Sequence, residues 1–315
     1  MANPDIAYDL YVLAQYAHET HDRFDGWVFG LPPAIQPEEW PLDPANGYPL
    51  MHGFTLRLPE SYRCHGPDIV AISFFGTAGD HNDGGPATNR RLAAALALDS
   101  PPEDADLRAV WQAFRHSHPR LHRMVDILDC NYAVILLTEQ EFNGPFCRPP
   151  KPAGGAALAA VAPPEWLLLG SAQALNDMVY SPHMPSTPEG GVHGRVLEAM
   201  RMPFNRALKL VPRAADPNAG KAPAEIYGDA PASSGYQPHF FWEGGKIDAD
   251  SYREHDWARD HAPNHLGGTM RPCQAIPDGF SPYYLEFEEY FGGFNFGTGN
   301  AQLDFKNMIF DWACG

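Results

Sequence analysis

Proline and glycine limit what this chain can become: 32 prolines and 29 glycines are spread along its 315 residues. Each proline removes a backbone donor and disrupts a helix interior, and each glycine favours a turn. The chain is therefore expected to form many short elements, as a β-rich α+β protein rather than a helical bundle. Its length suits about two domains, or one unit with internal duplication. Hydrophobic residues make up 44%, enough for a core, which argues against disorder.

Periodicity places the elements. Asn3 as N-cap, Pro4, Asp5 and the spacing of Ile6, Leu10, Leu13 and Ala17 predict an N-terminal helix, ended by Gly26. Prolines 32, 33, 37, 41, 44 and 49 exclude a helix in the next stretch. Phe54, Leu56 and Leu58 alternate with polar residues as in a half-buried strand, and 68–76 and 132–138 read as strands buried on both faces. Residues 90–98 and 105–115 read as helices. Residues 149–164 and 212–224 are Ala-, Gly- and Pro-rich loops. Between them, 166–179 fits a helix or a strand plus a helix, and 192–210 is expected to be partly helical, broken at Pro203. Residues 239–242 read as a short strand and 250–260 as a short helix. Leu285 and Phe287 alternate with Glu286 and Glu288. Ala301, Leu303 and Phe305 and then Met308, Phe310 and Trp312 continue the alternation, with a tight hairpin at Lys306-Asn307.

Charge narrows the partners. The formal net charge is −17, from 22 Lys+Arg and 39 Asp+Glu. Such a field repels phosphate backbones, so no nucleic-acid partner is expected, and it would speed encounter with a basic protein. Solubility alone is the plainer account of the charge. Five cysteines at wide spacing, with no Cys-x-x-Cys, predict reduced thiols rather than a disulfide framework or zinc knuckle. The N-terminus lacks the basic and apolar regions of a signal peptide, and no apolar run is long enough to span a bilayer. A cytoplasmic setting and no membrane contact are the expectation.

Two stretches are similar to each other. The first holds Phe29-Gly30-Leu31-Pro32-Pro33, Trp40-Pro41 with Asp43, Gly47-Tyr48-Pro49-Leu50 and Leu56-Arg57-Leu58-Pro59. The second holds Leu266-Gly267-Gly268-Thr269, Gln274-Ala275-Ile276-Pro277, Tyr284-Leu285-Glu286-Phe287, Gln302-Leu303-Asp304 and Trp312. Together these resemble the two halves of the YwqG family of uncharacterised bacterial proteins, over about a third of the chain. Phe29-Gly30 departs from the family's two glycines, and the first stretch lacks a Gln-x-Asp step. The resemblance implies internally duplicated, curved antiparallel sheets with peripheral helices. It divides a single globular unit, 1–315, into an N-terminal lobe at 1–140, an insertion or connecting region at 141–235 and a C-terminal lobe at 236–315. The family has no established activity. Some members lie near bacterial toxin genes, which implies an immunity role by association.

No strong catalytic constellation is present. The Gly-rich loop at 76–85 offers Asp80, His81 and Asp83 to a divalent ion, but it lacks the Glu of an EF-hand and the Lys of a P-loop. A solvated turn explains it as well. His255, Asp256, His261 and His265 form a second metal candidate whose spacing matches no zinc helix. His18 and His21, and His116, His118 and His122, read as polar surface. There is no Gly-x-Ser-x-Gly elbow, and no cysteine has an assignable histidine. A protein-binding role without a cofactor is therefore expected, with Glu286, Glu288, Tyr290, Phe294 and Asp304 as interface candidates and a basic toxin domain as the natural partner. The rival is a metal-dependent hydrolase using the 76–85 loop with His255 and His261.

Overall fold

A computed structural model describes residues 4–17, 24–77, 88–164, 166–167, 205–213, 215–223, 242–243, 246–247, 260–288 and 291–314. The buried apolar runs become strands. These are β1 (Ala7–Tyr16), β2 (Gly26–Val28), β3 (Met51–Arg57), β4 (Ile69–Gly76), β5 (Leu121–Val125) and β6 (Asn131–Thr138). They are followed by β7 (Arg206–Arg213), β8 (Trp242–Glu243), β9 (Lys246–Ile247), β10 (His265–Leu266), β11 (Tyr284–Glu288), β12 (Asn300–Asp304) and β13 (Ile309–Ala313). Four short helices accompany them among the described residues: α1 (Arg90–Leu96), α2 (Ala105–Arg115), α3 (Glu139–Phe142) and α4 (Gly155–Leu158). The protein is β-rich, as its prolines and glycines predict.

Eleven strands form one antiparallel sheet in the order β13-β12-β11-β10-β1-β7-β2-β3-β4-β6-β5. Strands from the first and last stretches of the sequence thus share a single sheet. It curls until its two edges meet, nearly closing a barrel. At one end of the seam Trp312 Nε1 on β13 donates to Asp126 Oδ2, just past β5, at 2.7 Å, and the Tyr132 and Phe310 rings lie 4.0 Å apart. At the other end His65 Nε2 donates to the Phe305 carbonyl at 2.6 Å while its ring lies 6.1 Å from His122 on β5. Bringing the edges together in this way protects backbone that an open sheet would expose.

Aromatic rings fill the interior. Phe54, Phe74, Phe287, Phe294, Phe296 and Phe310 are buried there in mutual contact. Gly53 and Gly76 make the seat for Phe294: a Cβ on either would lie 2.4 or 2.7 Å from its ring. A second cluster joins the helices, with Leu92, Leu96, Leu107, Val110 and Leu158 packed around Tyr48. Trp40 is buried as the Trp-Pro pair suggests, and its Nε1 donates to the Leu50 carbonyl at 2.8 Å.

Two expectations are overturned. Residues 7–16 form a strand paired with β7 on one side and β10 on the other, not the expected N-terminal helix. A register shift between Val12 and Tyr16 breaks the two-residue alternation, so the inward positions Leu10 and Ala17 mimic helical spacing. Likewise, 206–213 is the strand β7 between β1 and β2, so the helical reading of 192–210 fails over its last residues. Tertiary pairing on both sides outweighs local propensity there. The readings at 168–179 and 250–259 lie outside the described residues.

The two glycine-bearing motifs share an unusual backbone. Phe29 and Gly30 both have positive φ, +63° and +59°, as do Gly267 and Gly268, +63° and +88°. Each pair backs onto a distant polar side chain. A Cβ on Gly30 would strike Asn205 Oδ1, and one on Gly267 would strike Tyr62 Oη. Phe29 holds a conformation that costs a side-chain-bearing residue about 1–2 kcal/mol.

His52, beside the β3 bulge, shows how tightly the polar interior is satisfied. Its Nδ1 donates to the Phe29 carbonyl at 3.1 Å, and its Nε2 accepts from Thr55, 3.0 Å away, which in turn meets Ser73 Oγ at 2.7 Å. Burial pushes the imidazole down to about 3. An unfolded imidazole titrates near 6.5, so below that pH protons favour the unfolded chain. This one side chain should cost about 2 kcal/mol of stability between about pH 7 and pH 5. Urea unfolding at the two pH values measures the loss, and His52→Gln should remove that share of it.

Candidate functional site

The turn between β5 and β6 is the most unusual surface feature. A turn of the form Val125-Asp-Ile-Leu-Asp-Cys130 would ordinarily be polar at its centre. Here Asp126 turns inward and takes four bonds: from Leu128 N and Cys130 N at 2.9 Å each, from Tyr132 Oη at 3.0 Å and from Trp312 Nε1 at 2.7 Å. Asp129 adopts a left-handed φ of +61° to complete the bend. The backbone so fixed leaves Val125 54%, Ile127 84% and Leu128 44% exposed. The apolar tip is thus preorganised, which lowers the ordering cost of any contact made there. Burial and the Asp126 charge hold the Tyr132 phenol well above its ordinary value, and the same two causes raise the Asp311 carboxyl on β13. Of the carboxylates here, Asp126 is buried under its four donors and Asp129 is exposed beside the apolar tip.

Several residues expected at an interface lie inside instead. Glu286 is 2% exposed, and it accepts from Arg271 N with both oxygens, at 3.0 and 2.9 Å, and from Gln302 Nε2 at 3.4 Å. Its neighbour His265 places Nε2 3.2 Å from Glu286 Oε1, while Nδ1 donates to the Gly267 carbonyl at 2.7 Å. Register aligns Asp9, His265, Glu286, Gln302 and Asp311 across five strands as one polar row. Asp304 is buried too, accepting from Ser281, Lys306 and Asn307 to shape the β12–β13 turn. Phe294 is fully buried in the aromatic core. Glu286, Asp304 and Phe294 therefore cannot form an outer contact surface. Alternation does predict which face each occupies, but not that a following loop covers that face. Glu288 is exposed, and Tyr290 lies outside the described residues.

At the β1 end of the row Arg213 Nε donates to Asp9 Oδ1 at 2.7 Å, and its Nη1 lies 3.4 Å from Asp216 Oδ2. Burial alone would raise the Asp216 carboxyl. Bonds from Asn218 N and from Thr269 N and Oγ1, with the Arg213 charge, outweigh it and hold the group below its usual range.

Most of the metal candidates fall beyond what the structure describes. Asp80, His81, Asp83 and His255 lie outside the described residues, as do His18 and His21, and His261 is half-buried. Among the described residues no group of three or more His, Cys, Asp or Glu side chains is arranged to hold a metal ion, and no helix is long and apolar enough to cross a membrane. A cleft of about 870 Å³ runs beside Ile35, Pro37, Phe146 and Pro150, with the Arg120–Glu141 ion pair and Lys151 on its walls. Its one thiol, Cys147, is pushed up to about 12 by burial and then by the charges of Glu38 and Glu39, which leaves it unreactive. No family model, curated protein or solved structure matches the chain.

Proposed function

We propose that this protein works by binding another protein, a basic one, through the Val125–Asp129 turn. The observation that carries the reading is Ile127, 84% exposed at the tip of a turn fixed by four bonds to Asp126. A branched apolar side chain held out on rigid backbone is a natural anchor for a partner's pocket, and the exposed Asp129 carboxylate beside it suits a cationic group. The net charge of −17 would steer such a partner in. The resemblance to the YwqG family and its toxin-linked members makes a toxin domain the fitting partner and immunity the fitting role. Internal duplication belongs to the same reading. It is supported by the paired left-handed residues at Phe29-Gly30 and Gly267-Gly268.

Co-expression with the product of the neighbouring gene tests this. The expected result is a stable complex in native mass measurements, formed more slowly at high salt, and survival of cells that otherwise die from that product. Separate elution of the two proteins, with no rescue, would remove the proposal.

A further inference from the structure

Three of the five cysteines are withdrawn from chemistry. Burial, aided by nearby carboxylates, pushes the Cys64, Cys130 and Cys147 thiols up to about 11, 12 and 12. Cys273 and Cys314 are the two exposed thiols, and Gln274, next to Cys273 in the chain, bonds to Cys314. Asn300 Oδ1 accepts from Cys273 N at 3.0 Å, while its Nδ2 donates to the Arg271 carbonyl at 2.7 Å. Asn300 stands opposite Ala313 in the β12–β13 ladder, one residue before Cys314. The next residue of the loop completes the staple: Gln274 Nε2 donates to the Cys314 carbonyl at 3.1 Å and lies 3.7 Å from its Sγ. The side chains of Asn300 and Gln274 thus tie the 271–274 bend along the end of the sheet's edge.

We propose that Cys273 and Cys314 form a reversible intramolecular disulfide by exchange with a small-molecule disulfide. A disulfide needs Cα atoms about 4.4–6.8 Å apart, so the exposed 273–275 bend must bring Cys273 within that range of Cys314. Burial and then the Glu288 charge hold the Cys273 thiol up, which suits it to the second, intramolecular step as the resolving thiol. The Cys314 thiolate attacks one sulfur of the small disulfide and expels a thiolate. The Cys273 thiolate then attacks Cys314 Sγ and expels the second. The protein loses two thiol protons and two electrons, and the small disulfide gains both as two free thiols. The bond would fix the last strand to the loop that covers the buried Glu286 row.

Oxidised glutathione, added to the folded full-length protein, tests the pairing. Before treatment, two thiols per chain should react fast with an aromatic disulfide reagent. Afterwards both should be lost, and non-reducing peptide mapping should recover a 273–314 cross-link in a monomer. Cys273→Ser should instead hold one glutathione as a stable adduct at Cys314. Stable adducts on the unaltered protein, cross-linked dimers, or no reaction at all would each overturn the proposal.

Discussion

Arg213→Ala should lose about 4 kcal/mol of stability in urea unfolding, the largest effect expected of any single substitution here. The guanidinium is fully buried between Asp9 and Asp216 and also donates to the Ala262 carbonyl at 2.7 Å. Its removal leaves two carboxylates in the interior without a counter-charge. Breaking a buried pair from one side is costly because the remaining charge cannot regain water. Arg213→Lys should recover only part of the loss, since an ammonium cannot reach Asp9, Asp216 and Ala262 through one rigid fork. A loss under about 1 kcal/mol would mean that water enters the site.

Asp126→Ala should cost about 3 kcal/mol by the same measurement. It strips the acceptor from Tyr132 Oη and Trp312 Nε1, both on buried rings, and from two backbone amides of the turn. Each buried donor left unsatisfied costs about 1–3 kcal/mol, and donors near the turn recover water. Because Asp126 also bridges the two edges of the sheet, hydrogen exchange should speed up on β5 and β13 together. Faster exchange on β5 alone would show that the seam is held by packing rather than by this carboxylate.

The readable parts of the fold are those with unbroken alternation or clear caps. Strands β3 and β11 to β13 stand where the period-two pattern puts them, β4 and β6 where continuous apolar runs put them, and α2 begins after Asp104, whose side chain accepts from Asp106 N and Leu107 N. Strand β1 was hidden by its bulge, and β7 by the lack of any local sign that both its edges would be paired. Acidic residues misled in a consistent way. Glu286 and Asp304 alternate with apolar neighbours as outward residues do, yet each is enclosed by loop backbone that donates to it. Only the approach of distant segments decides that. The Val125–Asp129 turn did carry a signal, an Ile-Leu pair between two aspartates at a position that favours polar residues.

The claim that this molecule acts by holding a partner rests on Ile127, whose side chain supports nothing inside the fold. Titration of the co-expressed partner against Ile127→Asp is the most direct measurement. Binding should weaken at least about 30-fold, the scale of a hot-spot anchor, while the urea midpoint stays where it was. Unchanged affinity in a folded Ile127→Asp protein would contradict the account.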